Sequence, residues 1–74
     1  MENKYGVRDL FAERLRNLID ERGLNIQKFS KETDIPVSTV SDWLNKKTTP
    51  TIENLPKIAL FFKVTTDYLL GLEN

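Results

Sequence analysis

Few side chains in this 74-residue chain can carry covalent or acid–base chemistry. There is no His and no Cys. That removes the usual general base near neutral pH, the thiolate nucleophile and the commonest metal ligands. Serine or cysteine triads and zinc folds are therefore out, and the carboxylates are not clustered in a pocket-sized setting. No enzyme activity, metal, cofactor or small-molecule ligand is expected. What remains is recognition by hydrogen bonds, methyl contacts and charge. One stretch holds such groups together: Val37, Ser38, Ser41 and Asp42, followed by Asn45, Lys46 and Lys47. A valine can meet a thymine methyl, hydroxyls and a carboxylate can bond to base edges, and lysines neutralise phosphates.

Such groups need rigid supports, and almost the whole chain reads with helical period. Val7, Leu10, Phe11, Leu15, Leu18 and Ile19 form one apolar face, predicting a helix over 7–22. Arg8, Glu13, Arg16, Asp20 and Glu21 fall largely on the other side. Gly23 is a stop signal, and Arg22 places a cation in the last turn. Asn25 suits the N-cap of a second helix, 26–33, with Ile26, Phe29 and Thr33 inward and Lys28, Lys31 and Glu32 outward. Pro36 cannot continue that helix but suits the start of a third, 37–45. Val40, Trp43 and Leu44 face inward there, and this spacing assigns Trp43 to the core rather than to stacking on a base. Lys46 to Pro50 form a polar, basic loop. Thr51 caps a fourth helix, 52–62, whose inner face is read as Ile52, Leu55, Ile58, Ala59 and Phe62, with Pro56 at the fifth helical position. Thr65 caps a last short helix, 66–70, which Gly71 ends.

Nothing alternates with period two, so an all-α fold of five helices is expected. Residues 1–6 read as a flexible N-terminal arm and 7–72 as one domain. No apolar run approaches the roughly 20 residues of a bilayer span, and no apolar stretch follows the initial charges as in a signal peptide. A cytoplasmic location with no membrane partner is the expectation. Eleven Lys plus Arg balance eleven Asp plus Glu, so any attraction to nucleic acid rests on local charge. Residues 25–50 carry four lysines against three acids, while 51–74 carry two lysines against three acids. The middle is slightly positive and the tail slightly negative.

The second and third helices are separated by a very short turn. Helices so joined cross steeply and leave the start of the second one protruding, a shape that fits the DNA major groove. Helix 2 then lies across the backbone, with its N-terminal amides towards a phosphate. The residues carrying a wider likeness are Gly23-Leu24-Asn25, Phe29-Ser30 and Ile35-Pro36-Val37-Ser38-Thr39-Val40-Ser41-Asp42-Trp43, then Pro50, Leu55-Pro56-Lys57-Ile58-Ala59 and Val64 to Gly71. Together they resemble the lambda-repressor-like helix-turn-helix domain of the phage repressor and Cro (Xre) family, across about residues 9–71, with the helix-turn-helix itself at about 26–45. The resemblance implies a transcriptional regulator that binds operator DNA, usually as a homodimer, with the role of a repressor expected of a stand-alone domain. It implies that Val37, Ser38 and Asp42, with Ser41 nearby, read bases. It places phosphate contacts at Asn25, Ile26, Asn45, Lys46 and Lys47, with Gln27, Lys28 and Thr39 beside them. Ser38 and Thr39 also stand where first-turn hydroxyls cap a helix.

Three departures from the family pattern matter. Ile26 replaces a frequent Gln, so that side-chain phosphate contact is lost and Gln27 is the substitute. Val37, Ser38 and Asp42 include no Arg, Gln or Asn for a bidentate purine contact. Modest affinity, relying on dimerisation and DNA shape, is the expected consequence. Ile19 and Leu44 stand where many members carry a partly buried Arg–Glu pair, and the two are expected to touch in the core. Leu60, Phe61, Tyr68 and Leu72, with Leu69, are read as an apolar dimer surface, the alternative for Phe61 being a gap-filler in the core. A protein-interaction or antitoxin-like module with weak or no DNA binding is the rival reading.

Overall fold

Each helix forms where an apolar stripe meets a closing turn, and the computed structural model describes five of them across residues 6–73. They are α1 (Val7–Glu21), α2 (Ile26–Thr33), α3 (Val37–Leu44), α4 (Asn54–Phe62) and α5 (Thr66–Leu69), with no strand among the described residues. The all-α, five-helix expectation holds. The arm assigned to 1–6 lies mostly outside the described residues. Gly6, its last member, is buried and accepts from the Leu10 amide at 2.9 Å, so it belongs to the start of α1.

All five helices close through a left-handed residue. Behind Gly23, Lys46, Lys63 and Gly71 the next amide reaches back to the carbonyl five residues earlier: Leu24 to Ile19, Lys47 to Asp42, Val64 to Ala59 and Leu72 to Asp67. Such closures satisfy carbonyls that the helix leaves open. At Asp34 (φ 61°) the carbonyl of Ser30 accepts from both Asp34 and Ile35. Asn25 Oδ1 accepts from Lys28 N at 2.8 Å, and Thr65 Oγ1 from Tyr68 N at 3.0 Å, as their cap positions predict.

The core takes Phe11, Leu15, Leu18 and Ile19 from α1, Phe29 from α2, Val40, Trp43 and Leu44 from α3, and Ile58, Ala59 and Phe62 from α4. Phe11 meets Trp43 edge-on at 5.8 Å between centroids, and Phe29 stacks on Phe62 at 5.5 Å. Trp43 is therefore a core residue. Ile19 and Leu44 both lie in this buried cluster and line one surface groove.

Several expectations need correction. Helix α4 begins at Asn54, not at residue 52, because residues 52–53 form a turn closed by Thr51, whose Oγ1 accepts from Asn54 N at 3.2 Å. Ile52 therefore precedes the regular helix, and it is 85% exposed rather than in the core. Pro56 falls at the third position of α4, where an absent N–H removes no intrahelical bond. Leu69, read as surface, is fully buried. Phe61 is half-buried, with its ring edge-on to Phe29 at 5.6 Å and to Phe62 at 5.0 Å. Arg22 lies just past the last turn of α1 and donates to the carbonyl of Phe62 at 2.6 Å, so it caps α4 rather than its own helix.

Candidate nucleic-acid interface

The turn between α2 and α3 sets how α3 is presented. Ser30 fastens it from both sides: its carbonyl accepts two amides, and its hydroxyl donates to the Ile35 carbonyl. Ile35, 2% exposed, anchors the turn in the core. Thr33, the only buried polar residue among those described, donates its hydroxyl to the Phe29 carbonyl at 2.8 Å. Among the described residues no buried side-chain nitrogen or oxygen is left without a partner.

Helix α3 buries Val40, Trp43 and Leu44 and leaves its other side open. Val37 is 40% exposed and Ser38 is exposed, while Ser41 and Asp42 are half-buried one turn on. Asn45 is exposed, and its Nδ2 donates to Ser41 Oγ at 3.3 Å. The four residues read as base-contacting thus share one face, and none of the other described residues walls off its leading end. Thr39 is half-buried beside them, and no side-chain cap closes the N-terminus of α3, so the capping role expected of Ser38 and Thr39 is not filled.

The expected phosphate-contacting residues divide into two groups. At the start of α2, Gln27 and Lys28 are exposed and Asn25 is occupied in capping, while Ile26 packs partly against the core and offers only backbone. After α3, Asn45, Lys46 and Lys47 are exposed. Lys46 is held at φ 64°, with its amide donating to Trp43 O at 3.1 Å, and its ammonium lies 3.8 Å from Asp9 of α1. Of the apolar surface set, Leu60 and Leu72 are 78% and 69% exposed, and Tyr68 is half-buried beneath Arg14.

Residue-by-residue reading missed Arg16, Asp9 and Arg14. Arg16 is exposed and lines both grooves beside the interface, one with Asn25 and Gln27, the other with Asp9 and Lys46. The signal was present in the sequence: residues 9, 13, 16 and 20 follow one helix face at i, i+4, i+7 and i+11. Arg14 is positional: it donates to the carbonyls of Tyr68 at 2.7 Å and Glu73 at 2.6 Å, which ties α5 to α1.

Known proteins share this sequence pattern. A helix-turn-helix family model matches residues 15–69. The HTH-type transcriptional regulator DdrOP3 of Deinococcus deserti is 37% identical over 63 residues, covering 84% of this chain and 49% of that protein, so the chain spans about half the length of this relative. No solved structure matches at a significant level. No helix among the described residues is long and apolar enough to cross a membrane. The matched span takes in the whole α2–turn–α3 unit and most of the core around it, and the chain belongs to the helix-turn-helix family of the Cro and repressor (Xre) type, a non-enzymatic family.

Proposed function

We propose that residues 7–72 form a DNA-binding unit that regulates transcription in the cytoplasm, acting as a repressor and as a homodimer on two half-sites of an operator. The observation that carries this reading is the open side of α3, with Val37 and Ser38 leading, exposed Gln27 and Lys28 at the start of the preceding helix and exposed Lys46 and Lys47 in the loop that follows. A helix so placed enters the major groove while its flanks meet the two backbones. Val37 meets a thymine methyl, Ser38 and Ser41 exchange hydrogen bonds with base edges, and Asp42 accepts from a cytosine amino group. Gln27, Lys28, Asn45, Lys46 and Lys47 hold phosphates, together with backbone amides at Asn25 and Ile26 and the hydroxyl of Thr39. DdrOP3, named as a transcriptional regulator, supports the assignment.

A gel shift against the region upstream of the protein's own gene tests it. Wild type should bind, and Lys46→Glu with Lys47→Glu should lose at least about tenfold in affinity and flatten the salt dependence. Binding left intact by that double reversal would refute the contact map. The rival reading, a protein-interaction or antitoxin-like module, draws on the absence of Arg, Gln and Asn at Val37, Ser38 and Asp42. Failure of wild type to shift any fragment, with capture of a partner encoded beside it, would favour that reading.

A further inference from the structure

Among the described residues a single ion pair forms, and it joins the proposed interface to α1: Lys46 Nζ lies 3.8 Å from Asp9 Oδ1. Both side chains are more than half exposed, at 56% and 61%. Asp9 sits in the first turn of α1, and Lys46 directly follows the end of α3. The backbone of Lys46 is fixed by the bonds of Lys46 and Lys47 back into α3, so side-chain rotation alone takes the ammonium away from Asp9. The same groove holds Glu13 and Arg16, the other charged groups lining it among the described residues.

We propose that Asp9 competes with DNA phosphate for the Lys46 ammonium and so holds down the affinity of the interface. This rests on the DNA-binding reading. An ammonium is a compact point charge that takes a carboxylate or a phosphate oxygen equally well. A DNA phosphate reaching Lys46 therefore meets an ammonium partly neutralised by Asp9, with the Asp9 carboxylate close by to repel it. Asp9 is a positioning residue in this scheme: it acts on DNA through Lys46. Its leverage is small per contact, but the whole chain has no net charge to overcome it.

The test is fluorescence anisotropy of the intact chain with a labelled random-sequence duplex two helical turns long, at low salt. Asp9→Asn should bind about two- to fivefold more tightly than wild type, the range set by an exposed pair. Asp9→Glu should stay at the wild-type value. The gain should shrink as salt rises, because both competitors for the ammonium are screened. In a Lys46→Gln background, Asp9→Asn should bring no gain. Glu13→Gln serves as the charge control and should change affinity less than Asp9→Asn does. An Asp9→Asn affinity equal to wild type overturns the proposal. So does a gain that survives in Lys46→Gln, or an equal gain from Glu13→Gln, since either would reduce Asp9 to one more unit of negative field. Absence of duplex binding by wild type and every variant would instead overturn the DNA-binding reading, so the two failures are told apart.

Discussion

At the scale of single residues, the helix stops separate what the sequence reveals from what it hides. Gly23 and Gly71 announce their turns because glycine takes positive φ freely. Lys46, Lys63 and Asp34 do the same work with a side chain attached; aspartate is among the residues that tolerate this backbone, but nothing in the identity of the two lysines betrays it. At Asp34 and Lys63 the left-handed residue sits between residues packed in or on the core, Thr33 and Ile35 in one case and Phe62 and Val64 in the other. Left-handed backbone costs a residue bearing a Cβ about 1–2 kcal/mol, and glycine's extra freedom when unfolded offsets about 0.5–1 kcal/mol of the relief. Lys63→Gly should therefore stabilise the fold by about 0.5–1 kcal/mol, raising Tm by a few degrees in a domain of this size. The opposite changes should rank by space. Gly23 has nothing within 4 Å of a built Cβ, so Gly23→Ala meets only the backbone penalty. At Gly71 a Cβ would lie 2.4 Å from Leu10 Cδ1 and 3.1 Å from Leu10 Cβ, so Leu10 must also move. Thermal melts should place Gly71→Ala below Gly23→Ala by about 1–2 kcal/mol. Equal losses would mean that α1 gives way freely at Leu10.

At the scale of elements, periodicity located all five helices, because a small core can be closed only by continuous apolar stripes. It misplaced the start of α4, since Ile52 fits the stripe but precedes the turn that Thr51 closes. Side-chain hydrogen bonds across elements were out of reach, because Arg14 and Arg22 find carbonyls 54 and 40 positions away. These bonds matter most for α5, a single turn of four residues that cannot stand alone. Arg14→Gln should loosen it by about 1–2 kcal/mol, with the charged hydrogen bonds and the guanidinium over the Tyr68 ring lost together. Hydrogen exchange should quicken across 66–72 while α2 and α3 keep their protection. The junction of α1 with α3 offers a complementary test. Ile19 and Leu44 are 4% and 7% exposed. Ile19→Arg alone strands a charge in the core and should destabilise by about 3–5 kcal/mol. Adding Leu44→Glu should recover a large part of that loss, and strictly additive losses would show that the two positions do not meet.

For the molecule as a whole, the open side of α3 and the basic loop after it were legible because both are local. A dimer surface of the kind proposed would not be local, and the apolar residues offered for it separate on folding. Leu69 joins the core, and Phe61 packs on Phe29 and Phe62. Leu60 and Leu72 stay exposed, and Ile52 joins them as an exposed apolar side chain. A reading helix without a bidentate purine contact gains most from pairing two half-sites, because a second tethered contact multiplies affinity without new chemistry. If these leucines are where copies meet, Leu60→Asp with Leu72→Asp should leave monomer stability almost unchanged, since both side chains are already largely in water. The same change should shift sedimentation equilibrium at tens of micromolar from dimer to monomer. It should also weaken operator binding with little effect on a single half-site. A wild type that sediments as a monomer under those conditions would leave the free domain to bind half-sites singly and would move dimerisation onto the DNA itself.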